Sequence, residues 1–342
     1  MAARMRTLVL VFALGCGSAR ADRPSPVDEA SAPAPTQGSA APATPAVSAA
    51  PVVESVTLLA WKQEVKTPVM SLALGKKRAA ALAHKGDRIE GAWLFEAGRW
   101  AEIPFPDSVR AKEGERDDLR VFFGRDDRPR VMGTRSSGAS SRGIYLRHRG
   151  AWANERGEIG KLADAAVLFG ILGHDDPEVV CKLGDTCVIK RLTGWTYVPP
   201  PPKPLLVELA NGVAWGVGDR SLYRLGPKAF ERVGGDAPFA QPASVWASGP
   251  ESVWVSEPGT DSLHRFESGR WTRHASPVKR PRGLWGRAAD DAWLAGEGGA
   301  AHFDGKSWRR VAGVEGPLRE VRARENEVWV AGESGVWRGS PK

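Results

Sequence analysis

Seven bulky aromatic residues recur along this chain at intervals of 35 to 52 residues, each in a short strand-like segment that follows a turn. A repeat of roughly forty residues is the sequence signature of a four-stranded unit repeated radially. The spacing therefore predicts an all-β repeat architecture. The seven markers are Trp61, Trp100, Trp152, Trp195, Phe230, Trp271 and Trp308.

The clearest repeat runs from residue 282 to residue 311. Turn residues separate four short apolar segments, and the turn Asp304-Gly305 before the last segment is a strong hairpin signal. The same order of strands and turns fits the two preceding units well, and three units further upstream with more drift in sequence. The chain is therefore predicted to contain six complete four-stranded units.

The last unit is incomplete. Segments 318–322, 327–331 and 335–338 supply three strands, whereas segment 56–65 has the character of a fourth strand with nothing before it. We expect this N-terminal strand to pair with the C-terminal three, because the pairing would close a ring and remove an exposed sheet edge. The prediction is an all-β, seven-bladed β-propeller of four-stranded antiparallel blades; an open β-solenoid and two β-sandwiches are the alternatives.

The predicted domain organisation has three parts. Residues 1–15 form a signal peptide, residues 16–53 a lipid-anchored disordered tether rich in Ala, Pro and Ser, and residues 54–342 the propeller. The predicted blades lie at about 68–104, 118–156, 165–199, 204–234, 243–275 and 282–312, and the seventh at 318–340 plus 55–66.

Three segments carry a resemblance to a known group. They are Gly-Leu-Trp-Gly at 283–286, Asp-Asp-Ala-Trp-Leu-Ala-Gly-Glu-Gly-Gly at 290–299, and His-Phe-Asp-Gly-Lys-Ser-Trp at 302–308. In them the chain resembles the Trp-rich β-propeller repeats of exported bacterial proteins, related in style to BNR and WD-type repeats. Phe303 stands where the Asp-box of BNR proteins has its Asp. The resemblance therefore implies the architecture and not glycoside hydrolysis.

The N-terminus predicts export. A basic start, a short apolar run over residues 7–14 and small residues around Cys16 describe a secretory signal too short to span a membrane as a stable helix. The sequence Phe12-Ala13-Leu14-Gly15-Cys16 resembles a bacterial lipobox, which implies lipidation of Cys16; an ordinary signal peptide is the alternative. Because no Asp follows the cysteine, the resemblance implies an outer-membrane lipoprotein that faces the periplasm or the cell surface.

Cys181 and Cys187 flank a five-residue turn between two predicted strands. In an exported protein, a disulfide that bridges such a hairpin is plausible. A metal pair and two free thiols are the alternatives, although His174 is the only further candidate ligand close in sequence.

Composition and motifs argue against several functions. The net charge is +8, but basic and acidic residues alternate in nearly every segment, which is poor evidence for nucleic-acid binding. The six His show no metal-ligand spacing, and the chain has no nucleophile elbow, phosphate loop or dinucleotide fingerprint. We therefore expect no cofactor, no metal and no enzymatic activity.

The candidate contact residues lie in predicted connections between the second and third strands, which share the upper face of a propeller. Gly-Asp-Arg occurs twice in such connections, and a long polar loop occupies a third within an Arg-rich segment that could bind an anionic polysaccharide. Simple hairpin turns with solvated side chains are the alternative. The candidates are Asp87, Arg88, Arg135, Arg142, Asp219 and Arg220.

Two other patterns are interpreted as structural. Asp-Asp pairs occur at 126–127, 175–176 and 290–291, all between a first and a second strand, where Asp favours turns. The Pro199–Pro202 run is interpreted as a stiff connector between blades, with a polyproline ligand as the alternative.

The sequence-based hypothesis of function is a non-enzymatic protein-binding or scaffold module of the bacterial cell envelope, with an envelope protein as its partner and the membrane contacted through a lipid anchor only. One alternative is a propeller enzyme, a lyase or glycan hydrolase, with its site at the mouth of the channel on the upper face. Another is a binder of anionic envelope polysaccharide. The enzyme hypothesis predicts convergent carboxylate, His or Arg groups with perturbed pKa values.

Overall fold

The protein is seen in a computed structural model that describes residues 55–341. The described residues exclude positions 87, 106–116, 124–126, 136–140, 149–150, 155–167, 172–177, 183–186, 192–193, 200, 202–203, 211–212 and 219. They form seven four-stranded antiparallel sheets, so the predicted all-β class is confirmed.

The strands follow the chain in groups of four. After β1 (Leu59–Val65), sheet 1 contains β2 (Val69–Leu74), β3 (Ala79–Lys85), β4 (Arg88–Glu96) and β5 (Arg99–Ile103). Sheet 2 contains β6 (Asp117–Phe123), β7 (Pro129–Arg135), β8 (Ser141–His148) and β9 (Ala151–Asn154). Sheet 3 contains β10 (Leu168–Ile171), β11 (Glu178–Lys182), β12 (Cys187–Arg191) and β13 (Gly194–Val198).

The C-terminal half repeats the arrangement. Sheet 4 contains β14 (Pro204–Ala210), β15 (Val213–Gly218), β16 (Ser221–Leu225) and β17 (Phe230–Val233). Sheet 5 contains β18 (Ser244–Gly249), β19 (Ser252–Glu257), β20 (Ser262–Glu267) and β21 (Arg270–Ala275). Sheet 6 contains β22 (Lys279–Ala288), β23 (Asp291–Glu297), β24 (Gly299–Phe303) and β25 (Trp308–Arg310). Sheet 7 contains β26 (Leu318–Arg324), β27 (Glu327–Gly332) and β28 (Gly335–Pro341), with β1 as its fourth strand.

The first strand of each sheet is here called its inner strand, because first strands contact each other from sheet 3 through to sheet 7, between sheets 7 and 1, and between sheets 1 and 2. The end of the sheets that carries the second-to-third connections and the links between sheets is called the upper end. No helix among the described residues has the length and apolarity needed to cross a bilayer.

The predicted pairing of the N-terminal strand with the C-terminal strands is present. β1 runs antiparallel to β28, from Leu59 opposite Pro341 to Val65 opposite Val336. Trp61 lies opposite Gly339, where a Cβ would come within 2.7 Å of the Leu59 side chain and 3.0 Å of the Trp61 indole. Glycine at position 339 therefore makes room for the N-terminal strand.

The seven aromatic markers all lie in the end strand of a sheet. Trp308 packs against Phe303 of its own sheet, with ring centroids 5.3 Å apart, and against Trp254 of sheet 5 at 5.4 Å. The guanidinium of Arg265 lies over the rings of both Trp254 and Phe303, at 5.2 and 5.6 Å. Trp308 thus helps to hold sheets 5 and 6 together, as a residue at a packing position does.

The aromatic contact between two neighbouring sheets is here called a seam. The seam between sheets 7 and 1 contains the same residue types as the seam between sheets 5 and 6. Trp100 packs on Phe95 at 5.6 Å and on Trp329 at 5.8 Å, and Arg338 lies over Trp329 and Phe95 at 5.5 and 5.4 Å. Both of these seams thus join a second-strand Trp and a third-strand Arg of one sheet to a third-strand Phe and an end-strand Trp of the next. Such aromatic pairs and cation–π contacts add to the area that they bury.

A carboxylate clamps the upper end of sheet 5. Glu257 accepts hydrogen bonds from the backbone N–H groups of Ala240 (2.7 Å) and Gln241 (3.1 Å), in the link from sheet 4. It also accepts from the Thr260 hydroxyl (2.8 Å) and from His264 Nε2 (3.1 Å). Burial alone would raise the pKa of Glu257, but these four donors lower it to about 2. The clamp therefore holds an ionised carboxylate inside the fold.

A substitution where β1 pairs with β28 tests how much this strand pairing contributes to stability. Gly339→Ala places a Cβ against Leu59 and Trp61, so we expect the free energy of unfolding to fall by about 1–3 kcal/mol. The measurement is urea unfolding followed by Trp fluorescence. Gly249→Ala is the matched control, because no atom lies within 4 Å of its added Cβ, and it should change stability by less than about 1 kcal/mol. Equal losses of stability in the two variants would contradict close packing of β1 against Gly339.

Candidate functional site

The structure places the backbone of three predicted contact residues. Arg88 begins β4, Arg135 ends β7 and Arg142 is the second residue of β8, so each borders a second-to-third connection. Their side chains, and all of Asp87, lie outside the described residues. These four contacts stay predictions.

Arg220 is the one predicted contact whose side chain is described. It is exposed in the turn between β15 and β16, with a φ of 50°. Its carbonyl accepts a hydrogen bond from the Ala237 N–H at 2.9 Å, which links the turn to the segment after β17. Asp219 lies outside the described residues. A ligand contact at this turn stays a prediction.

The two cysteines of the predicted hairpin lie directly opposite each other, since Cys181 of β11 is the register partner of Cys187 in β12. Their side chains are outside the described residues, as is the whole of Cys16. The disulfide and the lipidation site stay predictions. Among the described residues, no group of three or more His, Cys, Asp or Glu is arranged to hold a metal ion.

The Asp-Asp pair at 290–291 does more than form a turn. Asp291 accepts hydrogen bonds from Trp293 Nε1 and His302 Nε2, both at 2.9 Å, and forms an ion pair with Arg287. Burial would raise the pKa of Asp291, but these donors lower it well below its usual range. The carboxylate is fully engaged in joining three strands, so its role is structural. Residue 126 and the pair at 175–176 lie outside the described residues.

A cluster of titratable groups lies on the inner strands instead. Glu208 of β14 is half-buried, and its Oε2 accepts a hydrogen bond from the Ser244 hydroxyl of β18 at 3.2 Å. The same hydroxyl oxygen accepts the backbone N–H of Leu284 in β22 at 3.2 Å. One serine therefore connects the carboxylate to two further inner strands.

Burial raises the pKa of Glu208 to about 7. The positive charges of Arg322 and Arg120 oppose this shift, whereas the negative charge of Glu320 adds to it. Arg120 belongs to sheet 2 and the other two to sheet 7, and neither sheet is next to sheet 4 in the chain. The pKa of Glu208 therefore depends on charged residues of sheets that do not adjoin its own sheet in the chain.

Arg322 is held in place by its neighbours. Its guanidinium lies 3.1 Å from Glu320 Oε2, donates to the Val321 carbonyl at 2.8 Å and sits 5.2 Å from the ring centre of Trp285. Arg120 is exposed and has no hydrogen-bond or ion-pair partner within the described part of the chain. The cluster thus offers one fixed and one free cation near a carboxyl group that titrates around neutral pH.

This arrangement is suited to acid–base chemistry. A general base works best when its pKa lies near the operating pH, and enzymes raise Glu to this range by burial. Guanidinium groups stabilise negative charge that develops on a substrate oxygen. The cluster therefore has a proton acceptor and charge stabilisers on the inner strands.

Sequence reasoning missed this cluster, although a signal was present. In four sheets, one inner-strand residue lies opposite the second-strand Trp: Glu208, Trp246, Trp285 and Arg322. Trp246 and Trp285 donate their indole N–H to carbonyls of the next inner strand, both at 3.1 Å. Where two repeats have a packing Trp, the other two have charges, and this exchange was visible once the repeats were aligned on the second-strand Trp.

Comparison with known proteins gives a fold and no family. No family model and no curated protein matches the chain.

Several solved structures are similar, and a lyase is prominent among them. The crystal structure of selenomethionine-substituted virginiamycin B lyase from Staphylococcus aureus has a TM-score of 0.58 at 14% identity, covering 83% of this chain and all of that one. A catalytically inactive His-to-Ala variant of that lyase, with quinupristin, gives a TM-score of 0.59 at 14% identity, with 83% and 100% coverage.

A second group of similar structures is YCF48. The complex of YCF48 with D1 peptide has a TM-score of 0.58 at 11% identity, covering 85% of this chain and 99% of that one. YCF48 from Cyanidioschyzon merolae gives 0.59 at 14% identity, with 82% and 99% coverage. One neighbour of this fold therefore binds a peptide, and the likeness to both groups establishes a propeller-like fold.

These findings correct the functional hypothesis drawn from the sequence. It held that the chain is a non-enzymatic envelope scaffold, because no catalytic motif was recognisable. Several of the most similar structures are those of an enzyme, which contradicts that hypothesis. The physical reason for the error is that a search for contiguous motifs misses groups that converge from separate inner strands, as Glu208, Ser244 and Arg322 do here.

Proposed function

We propose that the protein is a propeller enzyme of the lyase class whose general base is Glu208. The observation that carries the proposal is the position of this carboxyl group, which lies among inner-strand charges and has its pKa raised to about 7. The pKa of an ordinary surface Glu lies far below neutral pH, so its carboxylate is a weaker base than one whose pKa is raised.

The reaction is an elimination. The Glu208 carboxylate takes the proton from a carbon next to a carbonyl or carboxylate group of the substrate. The electron pair of that C–H bond forms a double bond, and the C–O bond on the neighbouring carbon breaks, with the leaving oxygen keeping its electron pair and accepting the proton from Glu208. Arg322 and Arg120 stabilise the negative charge that develops on the substrate's carbonyl oxygen.

The comparisons support this class of reaction. Virginiamycin B lyase has a similar fold, and one of its structures holds quinupristin. We therefore take quinupristin as the first probe substrate. A polyuronate is the second, because it is anionic and carries a carboxylate next to an acidic carbon.

We also propose that the seven sheets are the blades of one closed ring. The seam between sheets 7 and 1 repeats the seam between sheets 5 and 6, with the same residue types at the same strand positions. In addition, Arg324 of β26 donates to the carbonyls of Gly75 and Arg78 in the turn between β2 and β3 of sheet 1, at 2.9 and 2.7 Å. Sheet 1 thus follows sheet 7 as sheet 6 follows sheet 5.

We propose further that the enzyme is exported and held at a membrane by a lipid on Cys16, at the end of a signal peptide. The basic start, the apolar run and the small residues around Cys16 support this. We expect radioactive palmitate to label the wild type expressed in a bacterial host and not to label Cys16→Ala. Equal labelling of the two proteins would refute the anchor.

The activity is tested on the full chain with both probes. We expect elimination to give a product with a new double bond, which absorbs ultraviolet light, and no added water in its mass. The rate should rise with pH up to about 7 and then level off, since the base must be ionised. Glu208→Gln should lower the rate by about 100-fold or more, because general-base catalysis contributes at least that much.

The control for activity is Glu251→Gln, which changes an exposed carboxyl group outside the cluster and should keep the full rate. The lyase proposal fails if neither probe yields an unsaturated product, or if Glu208→Gln is as fast as the wild type.

A second test of Glu208 needs no substrate. Its pKa is higher in the folded chain, at about 7, than the ordinary 4.5, so the wild type loses stability as pH rises through this interval. Glu208→Gln stays neutral. Its melting temperature should therefore exceed that of the wild type at about pH 8.5 and match it at about pH 3.5, below the ordinary pKa. A Glu208→Gln difference that does not depend on pH would show that the carboxyl group has an ordinary pKa.

A further inference from the structure

Three arginines converge at the upper end of the inner strands of sheets 6 and 7, above the Glu208 cluster. Arg280 forms an ion pair with Glu297 at 3.0 Å, and Arg319 forms one with Glu333 at 2.5 Å. Arg282 lies two residues after Arg280 in β22, and its guanidinium has no hydrogen-bond or ion-pair partner in the described part of the chain. Two of the three guanidinium groups therefore form ion pairs with carboxylates, and that of Arg282 does not.

Arg282 is in an unfavourable electrostatic environment. It is half-buried, and burial is the largest cause of its lowered pKa. The positive charges of Arg280 and Arg319 lower the pKa further, while Glu297 and Glu333 act against them. Glu333 is additionally shared with His84, whose Nε2 lies 3.8 Å from it. A charge that is partly removed from water without a partner costs free energy.

The backbone that presents these arginines is built to an unusual shape. The register of β22 against β23 shifts between Lys279 and Gly283, which is a bulge. Arg280 has a φ of 44°, and its N–H donates to the Asp261 carboxylate at 2.6 Å. Gly296 lets the bulge approach, since a Cβ there would lie 2.6 Å from the Lys279 carbonyl. Bulges and left-handed non-glycine residues are concentrated at functional sites, where they re-aim side chains.

We propose that Arg282 and its two flanking arginines form a binding site for an oxyanion, the carboxylate or phosphate group of a ligand. The planar guanidinium matches both groups through paired N–H donors. An anion bound there would supply the missing negative charge, so the energetic cost of the unpaired guanidinium would be offset only when the site is occupied.

The site lies close to the Glu208 cluster without depending on it. The Ser256 hydroxyl donates to the Arg282 carbonyl at 3.5 Å, and Leu284, two residues further on, donates to Ser244 beside Glu208. Two strand residues span roughly 7 Å. A ligand whose anionic group is bound at Arg282 could thus reach Glu208 with a nearby atom, although anion binding stands whether or not Glu208 is a catalytic base.

The test measures melting temperature of the full chain against added sodium phosphate and, separately, sodium succinate, with sodium chloride keeping the ionic strength constant. We expect at least one of the two anions to raise the melting temperature of the wild type in a saturable way, because ligands of the folded state stabilise it. A response to phosphate alone, to succinate alone or to both identifies the group that the site accepts.

The decisive variant is Arg282→Gln. It should lose the anion-dependent shift and, without anion, melt no lower than the wild type, because it removes an uncompensated charge. Arg270→Gln changes an exposed arginine of β21 and should keep the shift, as should Glu208→Gln. A wild type that responds to neither anion, or an Arg282→Gln protein with an unchanged response, overturns the proposal. Loss of enzymatic activity in Glu208→Gln does not bear on it.

Chemical modification of the wild type gives a second measurement that does not depend on the variant folding. Phenylglyoxal reacts with accessible guanidinium groups, and mass spectrometry of peptides reads each site. We expect the anion that shifts the melting temperature to protect Arg282 and to leave Arg270 equally reactive. Equal protection of both residues would contradict a specific site.

Discussion

The aromatic seam between neighbouring sheets is the interaction on which the rest of the structure depends. The apolar face of a sheet must be buried against another element, and here neighbouring sheets supply that cover for each other. The seam achieves this with one unit, a second-strand Trp and a third-strand Arg packed on the Phe and end-strand Trp of the following sheet. Trp254 and Arg265 illustrate it against Phe303 and Trp308. The same unit recurs between sheets 7 and 1.

The seams also free the inner strands for other roles. Once the sheets are held by contacts further out, the inner position opposite the second-strand Trp need not be apolar. Trp246 and Trp285 donate hydrogen bonds there to the next inner strand, whereas Glu208 and Arg322 place charges at the same position of their inner strands. The left-handed backbone conformation of Arg280, within the bulge of β22, likewise persists because the packed sheets around it hold it in place. Structural carboxylates such as Glu257 and Asp291, by contrast, are saturated with donors and have lowered pKa values.

Much of the fold could be predicted and little of the site. The strand order, the markers in end strands and the pairing of segment 56–65 with the C-terminal strands followed from turn chemistry and spacing, which are local properties. The role of Asp291 was underestimated, because its partners Trp293 and His302 lie on two strands that meet only through sheet pairing. The scaffold hypothesis was wrong because it treated the lack of a contiguous motif as the lack of a site.

The sequence by itself determined the repeat, the composition of each strand and the complementary ends of the chain, since all three depend on neighbours within a few residues. Only the tertiary structure decided the electrostatic environments of Glu208 and Arg282. The pKa of Glu208 is set by burial and by Arg120, Glu320 and Arg322, on sheets that do not adjoin its own in the chain. Arg282 is left without an ion pair because Glu297 and Glu333 pair with Arg280 and Arg319. Burial and Coulomb interactions depend on distances in space, and these exist only after the sheets have packed.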